Sequence, residues 1–92
     1  MTRKEIFDAI EAERKNQIMV EGYFPTKDDK LVDGELALAA SVYAHPERAR
    51  NISDWPFGEK RYHPNPMDRK RELIKAAALI VAEIERLDRA KL

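Results

Sequence analysis

The sequence has no cysteine, which excludes disulfides and thiolate metal sites. It has no net charge either, because 17 Lys and Arg balance 17 Asp and Glu. Such a chain lacks the basic surplus that non-specific nucleic-acid binding draws on, so DNA is not an expected partner. No apolar run is long. The longest, "AAALIVA" at 76–82, falls far short of the roughly 20 residues of a membrane span. The opening "MTRKEIFDAI" carries no apolar stretch of leader length. The expected setting is therefore the cytoplasm, away from any membrane. Nothing reads as a phosphate loop. Ser41 and Ser53 sit in no nucleophile elbow. His45 and His63 have no companions at zinc-site spacing.

What is present is a chain of 92 residues, 43% hydrophobic and 37% charged. That is one small domain with one core. Its hydrophobic content and zero net charge set it apart from disordered chains. A core of this size is marginal alone, so self-association is expected.

The hydrophobic pattern is helical throughout. "TRKE" at 2–5 is a capping box, with Thr2 as cap and Glu5 three residues on. At 100° per residue, Ile6, Phe7, Ile10, Arg14, Gln17 and Ile18 share one arc, which predicts an inward stripe ending near Glu21 and Gly22. Residues 23–33 read as a loop. "DGEL" at 33–36 starts a second helix with Asp33 as cap and Glu35 in the first turn. Its face is Leu36, Ala39, Ala40 and Tyr43, and Pro46 ends it near His45. Residues 46–66 then hold four of the five prolines together with Trp55, Phe57 and Tyr62. A connection that long in so small a domain suggests an aromatic lid. "NPMD" at 65–68 predicts a third helix capped by Asn65, with Leu73, Ala77, Ile80, Ile84 and Leu87 as its stripe, widened by Ile74, Ala78 and Val81. The expected fold is all-α: three main helices, a long aromatic and proline-rich loop between the second and third, and oligomer contacts through the alanine-rich third helix.

Three constellations could carry chemistry. Arg14 and Gln17 interrupt the first helix's stripe. A guanidinium fork suits an anion, and an amide reads a hydrogen-bonding edge. Arg14 could equally snorkel to a carboxylate such as Glu35. The loop "DWPFGEKRYHPNP" at 54–66 sets aromatics beside Lys60 and Arg61, a pairing that can stack a base and hold a phosphate or simply cover the core. Acids are the third group. Glu13, Glu35 and Glu83 could hold Mg²⁺. "ERLD" at 85–88 fits half of the paired-acid pattern of MazG-type nucleotide pyrophosphohydrolases, although the second helix lacks the matching half. Caps and solvated faces also account for these acids.

The order "ERKNQ" (13–17), "EGYFPTKDD" (21–29), "DGELALAASVYA" (33–44), "WPF" (55–57) and "LIKAAALIVAEIERLDR" (73–89) resembles a group of small phage and prophage proteins. They share a Glu-Arg-x-x-Gln start, a glycine-aromatic turn with paired aspartates, Gly-Glu-Leu, Trp-Pro and a long alanine-rich helix. "KRYHP" at 60–64 departs from that pattern, where the group often has paired tryptophans before Lys-Pro. The resemblance implies a phage accessory protein acting stoichiometrically in the host cytoplasm. The leading expectation is non-enzymatic binding of a small anionic ligand, a nucleotide defence signal, with no cofactor. Arg14, Lys27, Lys60 and Arg61 would hold phosphate, Gln17 would read an edge, and Tyr23 or Trp55 would stack. The alternatives are a Mg²⁺-dependent pyrophosphohydrolase built on Glu13, Glu35 and Glu83, and an inhibitor that binds a host protein.

Overall fold

Thr2 opens the first helix as its sequence predicts. Its hydroxyl accepts from the Glu5 amide at 3.1 Å, and the Glu5 carboxylate accepts from the Thr2 amide at 2.9 Å. This reciprocal cap satisfies two donors that a helix start leaves orphaned. In the computed structural model, which describes all 92 residues, helix α1 then runs Arg3–Met19. It stops two residues before the expected Glu21. Gly22 turns the chain at φ +79°, a conformation that carries no Cβ penalty for glycine.

Residues 23–33 are not all loop. Pro25 opens a short helix α2, Pro25–Asp28. The ring that bars helix from the preceding residue suits the first helical position, where no amide is needed. Helix α3 spans Glu35–Ala44 and ends at His45, before Pro46, as expected. Its cap is Gly34 rather than Asp33, and the Glu35 carboxylate reaches back to accept from the Asp33 amide at 2.6 Å. The long connection contains three single 3-10 turns, Glu47–Ala49, Ile52–Asp54 and Glu59–Arg61. Helix α4 runs Arg69–Arg89 from a cap at Asp68, whose carboxylate accepts from the Arg71 amide at 3.0 Å. Asn65 is not the cap, because Pro66 and Met67 form a turn of their own and its side-chain oxygen finds no partner, while its amide donates to Glu72 at 3.1 Å. The fold is all-α, with no strand. Helices α1, α2 and α3 all pack on α4, and no helix is long and apolar enough to cross a membrane.

The core lies between α3 and α4. Leu36, Ala39, Ala40, Val42 and Tyr43 face Ala76, Leu79 and Ala82, closed over by Tyr23 and Trp55. The small side chains let two backbones approach closely, and the aromatics add large buried surfaces over them. Trp55 meets Tyr43 edge-on at 5.2 Å and Phe57 at 5.6 Å, while Tyr62 stacks on Tyr43 at 5.7 Å. The aromatic connection is thus a lid over the core.

Two predicted stripes face the other way. On α4 the buried positions are Glu72, Lys75, Ala76, Ala78, Leu79, Ala82 and Arg86. Leu73, Ile80 and Ile84 are exposed instead. The alanine-lined face of α3 selects the matching small face of α4, so the bulkier aliphatics point outward. Helix α1 behaves alike. Arg14 and Gln17 are inside as expected, joined by Glu13, but Ile6 and Phe7 are exposed. Periodicity placed polar and apolar residues on one arc, and the fold buries its polar half.

Candidate functional site

The interior end of α1 is an ionic lattice. Arg14 donates from Nε to Glu85 at 2.9 Å, from Nη2 to Asp28 at 3.1 Å and from Nη1 to the Tyr23 carbonyl at 3.4 Å. Its carboxylate partners are therefore Asp28 and Glu85, not Glu35. Asp28 is fully buried. Burial pushes its carboxyl above the ordinary range, and the Arg14 charge only partly offsets this. Glu13 is held by Arg71, yet burial still raises its carboxyl. Gln17 donates to the Lys75 carbonyl at 3.4 Å, and its own backbone carbonyl accepts from the Tyr23 amide at 2.9 Å. Four buried side-chain oxygens, on Glu13, Gln17, Asp28 and Asn65, have no hydrogen-bond partner.

A second lattice locks the long connection to the helices. Arg50 has a fully covered side chain and grips Glu72 with both terminal nitrogens, at 2.9 and 2.8 Å. It also donates to the His45 carbonyl, the Tyr43 carbonyl and the Tyr62 hydroxyl. Burial alone would raise the Glu72 carboxyl. The hydrogen bonds from Arg50 and the Asn65 amide outweigh it and hold the group below its usual range. Arg69 adds donors to the Tyr43, Ala44 and His45 carbonyls. Those are the orphan carbonyls of the α3 C-terminus, which cations satisfy well. Nothing in the local sequence around Arg50 marks it out, because its partners lie in three separate segments.

Between these lattices is an open pocket of about 380 Å³ lined by Val20, Glu21, Tyr23, Lys60, Arg61 and His63. The Arg61 guanidinium lies 5.2 Å over the Tyr23 ring, and Tyr23 is braced edge-on by Phe57 at 5.4 Å. Burial raises the Tyr23 phenol, so it stays a neutral donor. The 59–63 wall is pinned twice. The His63 amide donates to the Tyr43 hydroxyl at 2.9 Å, and Lys75 Nζ donates to the His63 carbonyl at 2.6 Å. Lys75, in turn, has its ammonium pKa lowered by burial.

The structure thus brings together three of the predicted ligand residues, Tyr23, Lys60 and Arg61. Arg14 and Gln17 sit behind them, both bonded to the Tyr23 backbone, and are committed to protein partners. Lys27 lies on α2 with its ammonium 5.2 Å over the Phe24 ring. Trp55 does not present a free face. It is buried in the core and donates from its indole to the Gly58 carbonyl at 2.8 Å. Among the acids considered for Mg²⁺, Glu13 is engaged by Arg71, Glu35 by the Asp33 amide and Glu83 by Arg86. No three histidine, aspartate or glutamate side chains are grouped to hold a metal ion. His63 and Glu21 line the pocket without having been expected there. No family model, curated protein or solved structure matches the chain.

Proposed function

We propose that this is a non-enzymatic binding protein whose pocket takes a small anionic ligand of the nucleotide class. The convergence of Lys60 and Arg61 with the braced Tyr23 ring carries the reading. Two cations on a pinned turn offer a phosphate charge-assisted hydrogen bonds. The Arg61 guanidinium, backed by the covered Tyr23 ring, gives a flat surface for a base, and Glu21 can accept from sugar hydroxyls. In the phage setting that the motif resemblance implies, stoichiometric binding of this kind would withhold a nucleotide defence signal. Self-association belongs to the same proposal, since a small helical scaffold gains rigidity from it.

Calorimetry and thermal melts against cyclic nucleotides and ADP-ribose derivatives test the reading. Bound ligand stabilises by RT ln(1 + [L]/Kd), about 2.7 kcal/mol at a hundredfold excess over Kd. Lys60→Ala with Arg61→Ala should abolish that gain and leave the unliganded melt unchanged. If no nucleotide shifts the melt, or if the double variant binds as well as the wild type, the reading fails.

A further inference from the structure

Helices α1 and α4 keep their bulkiest aliphatic side chains outside. Ile6 is 40% exposed, Phe7 63%, Leu73 45%, Ile80 48% and Ile84 60%. With Met1, they hold on the order of 600 Å² of apolar surface, the upper end of what a monomer leaves uncovered. A standard interface buries roughly 800 Å² per partner. Between the two helices this surface sinks into a groove of about 480 Å³ in which six of the seven lining side chains are apolar. Ile6, Ile10, Leu73, Ile74 and Ala77 form most of it, and Lys70 stands at its edge.

The spacing of the exposed α4 residues says what fits there. Leu73, Ala77, Ile80, Ile84 and Leu87 follow one another at 4-3-4-3, the 3.5-residue period of a seam built to meet another helix. The period is kept for two heptads, and the chain's own helices leave it open. A second copy carries the same seam, and zero net charge means two copies do not repel.

We infer that the protein forms a two-fold dimer in which α4 packs antiparallel on α4 of a second copy, burying the apolar groove between α1 and α4. The charges on the helix choose the direction. Lys70 stands at the groove edge near the helix start, and Asp88 is exposed near its end, where Glu85 is already paired with Arg14 and Arg89 with Asp29. A two-fold near residues 78–79 sets Lys70 opposite Asp88 of the second copy and opposes the helix dipoles. Parallel packing would instead set Lys70 against its own copy. In the antiparallel register Leu73 faces Ile84 of the second copy, so that isoleucine enters the groove, and Ala77 faces Ile80. The interface is isologous and closes on itself.

The absence of cysteine makes the register directly readable. Single-cysteine variants Ala77→Cys and Ile80→Cys are mixed and oxidised. The antiparallel dimer gives chiefly the mixed 77–80 disulfide, whereas a parallel one gives 77–77 and 80–80 products. Sedimentation of the wild type should return twice the 10.7 kDa chain mass. Ile84→Glu and, independently, Ile80→Glu should return the single mass with helical circular dichroism retained. A wild type that stays monomeric at high micromolar concentration overturns the inference, including where the same face captures a different protein. So does a dimer that both glutamate variants leave intact, or like-with-like disulfides as the main products.

Discussion

Removing Arg50 tests whether the buried lattice, rather than the aromatic lid alone, holds the long connection. Its side chain is fully covered and its partner Glu72 is 2% exposed. Arg50→Ala leaves that carboxylate with the longer Arg69 contact at 3.4 Å and the Asn65 amide. Taking one partner from a buried pair costs about 3–5 kcal/mol. The two surviving donors put this case at the lower end, about 3 kcal/mol. A 92-residue domain has roughly 5–14 kcal/mol in total, so the variant should lose a large fraction of its stability. At about 4–8 °C per kcal/mol for a domain of this size, the melt should fall by some 12 °C or more. Urea unfolding followed by circular dichroism measures the loss. Arg50→Lys should not rescue it, because an ammonium cannot span Glu72, Tyr62 and two carbonyls at once. The effect has a pH signature. A depressed carboxyl contributes stability above its ordinary 4.5 and loses it as pH falls through the lower folded value. The gap between wild type and variant should therefore be widest near neutrality and narrow in acid. A loss under about 1 kcal/mol, the size of an exposed ion pair, would refute the reasoning.

Two further outcomes follow from the α1 lattice. Arg14→Ala strands Asp28, whose other oxygen already lacks a partner, so chemical denaturation should show a loss of about 3 kcal/mol or more. Glu85 is half exposed and returns to water at little cost, so a loss below about 1 kcal/mol would mean that Asp28 is not dependent on Arg14. Glu13→Gln works in the opposite sense. Burial raises the Glu13 carboxyl, so its contribution is fully present below 4.5 and is lost as pH rises through the higher folded value. The glutamine variant should gain on the wild type between pH 4 and pH 7, and melts whose difference is the same at both pH values would count against it.

Local signals were enough for the three main helices and their order, and for the ends that rest on one residue's chemistry, but not for the short helix at Pro25–Asp28. The Thr2–Glu5 box and the Pro46 stop needed no tertiary information. Asn65 failed as a cap because the turn at residues 66–67 delays the helix to Arg69, out of reach of its side-chain oxygen, which is left without a partner. The inward direction of Arg14 and Gln17 was legible from periodicity, but their partners were not. Asp28 reaches Arg14 only because Pro25 starts a four-residue helix that no pattern of that length announces. The largest misreading was which face of α4 is inside. Periodicity reports where aliphatic residues cluster, not which covered surface they meet. A helix with a small-residue face and a bulky face has two candidate interiors. The alanines of α3 took the small one, leaving the bulky one exposed.

That division also separates scaffold from pocket. The stretches that carry the phage-protein resemblance, "ERKNQ" and "TKDD" among them, supply Glu13, Arg14, Gln17 and Asp28. These residues are spent on ion pairs and backbone bonds inside the fold. The pocket wall comes from Lys60, Arg61 and His63, within the "KRYHP" segment where this chain departs from that group. A buried lattice tolerates few substitutions, since each lost partner strands a charge, whereas Lys60 and His63 are exposed in a turn held by His63 backbone atoms and by Tyr62, so their side chains can change freely. If the pocket binds an anion as proposed, ligand preference therefore lies in the 60–63 turn and fold maintenance in the motifs. A graft tests that split: replacing only Lys60, Arg61 and His63 with serine should change which anion binds, or whether one does, while the melting temperature holds. A fall in stability comparable to that of Arg14→Ala would show that the turn is part of the scaffold after all.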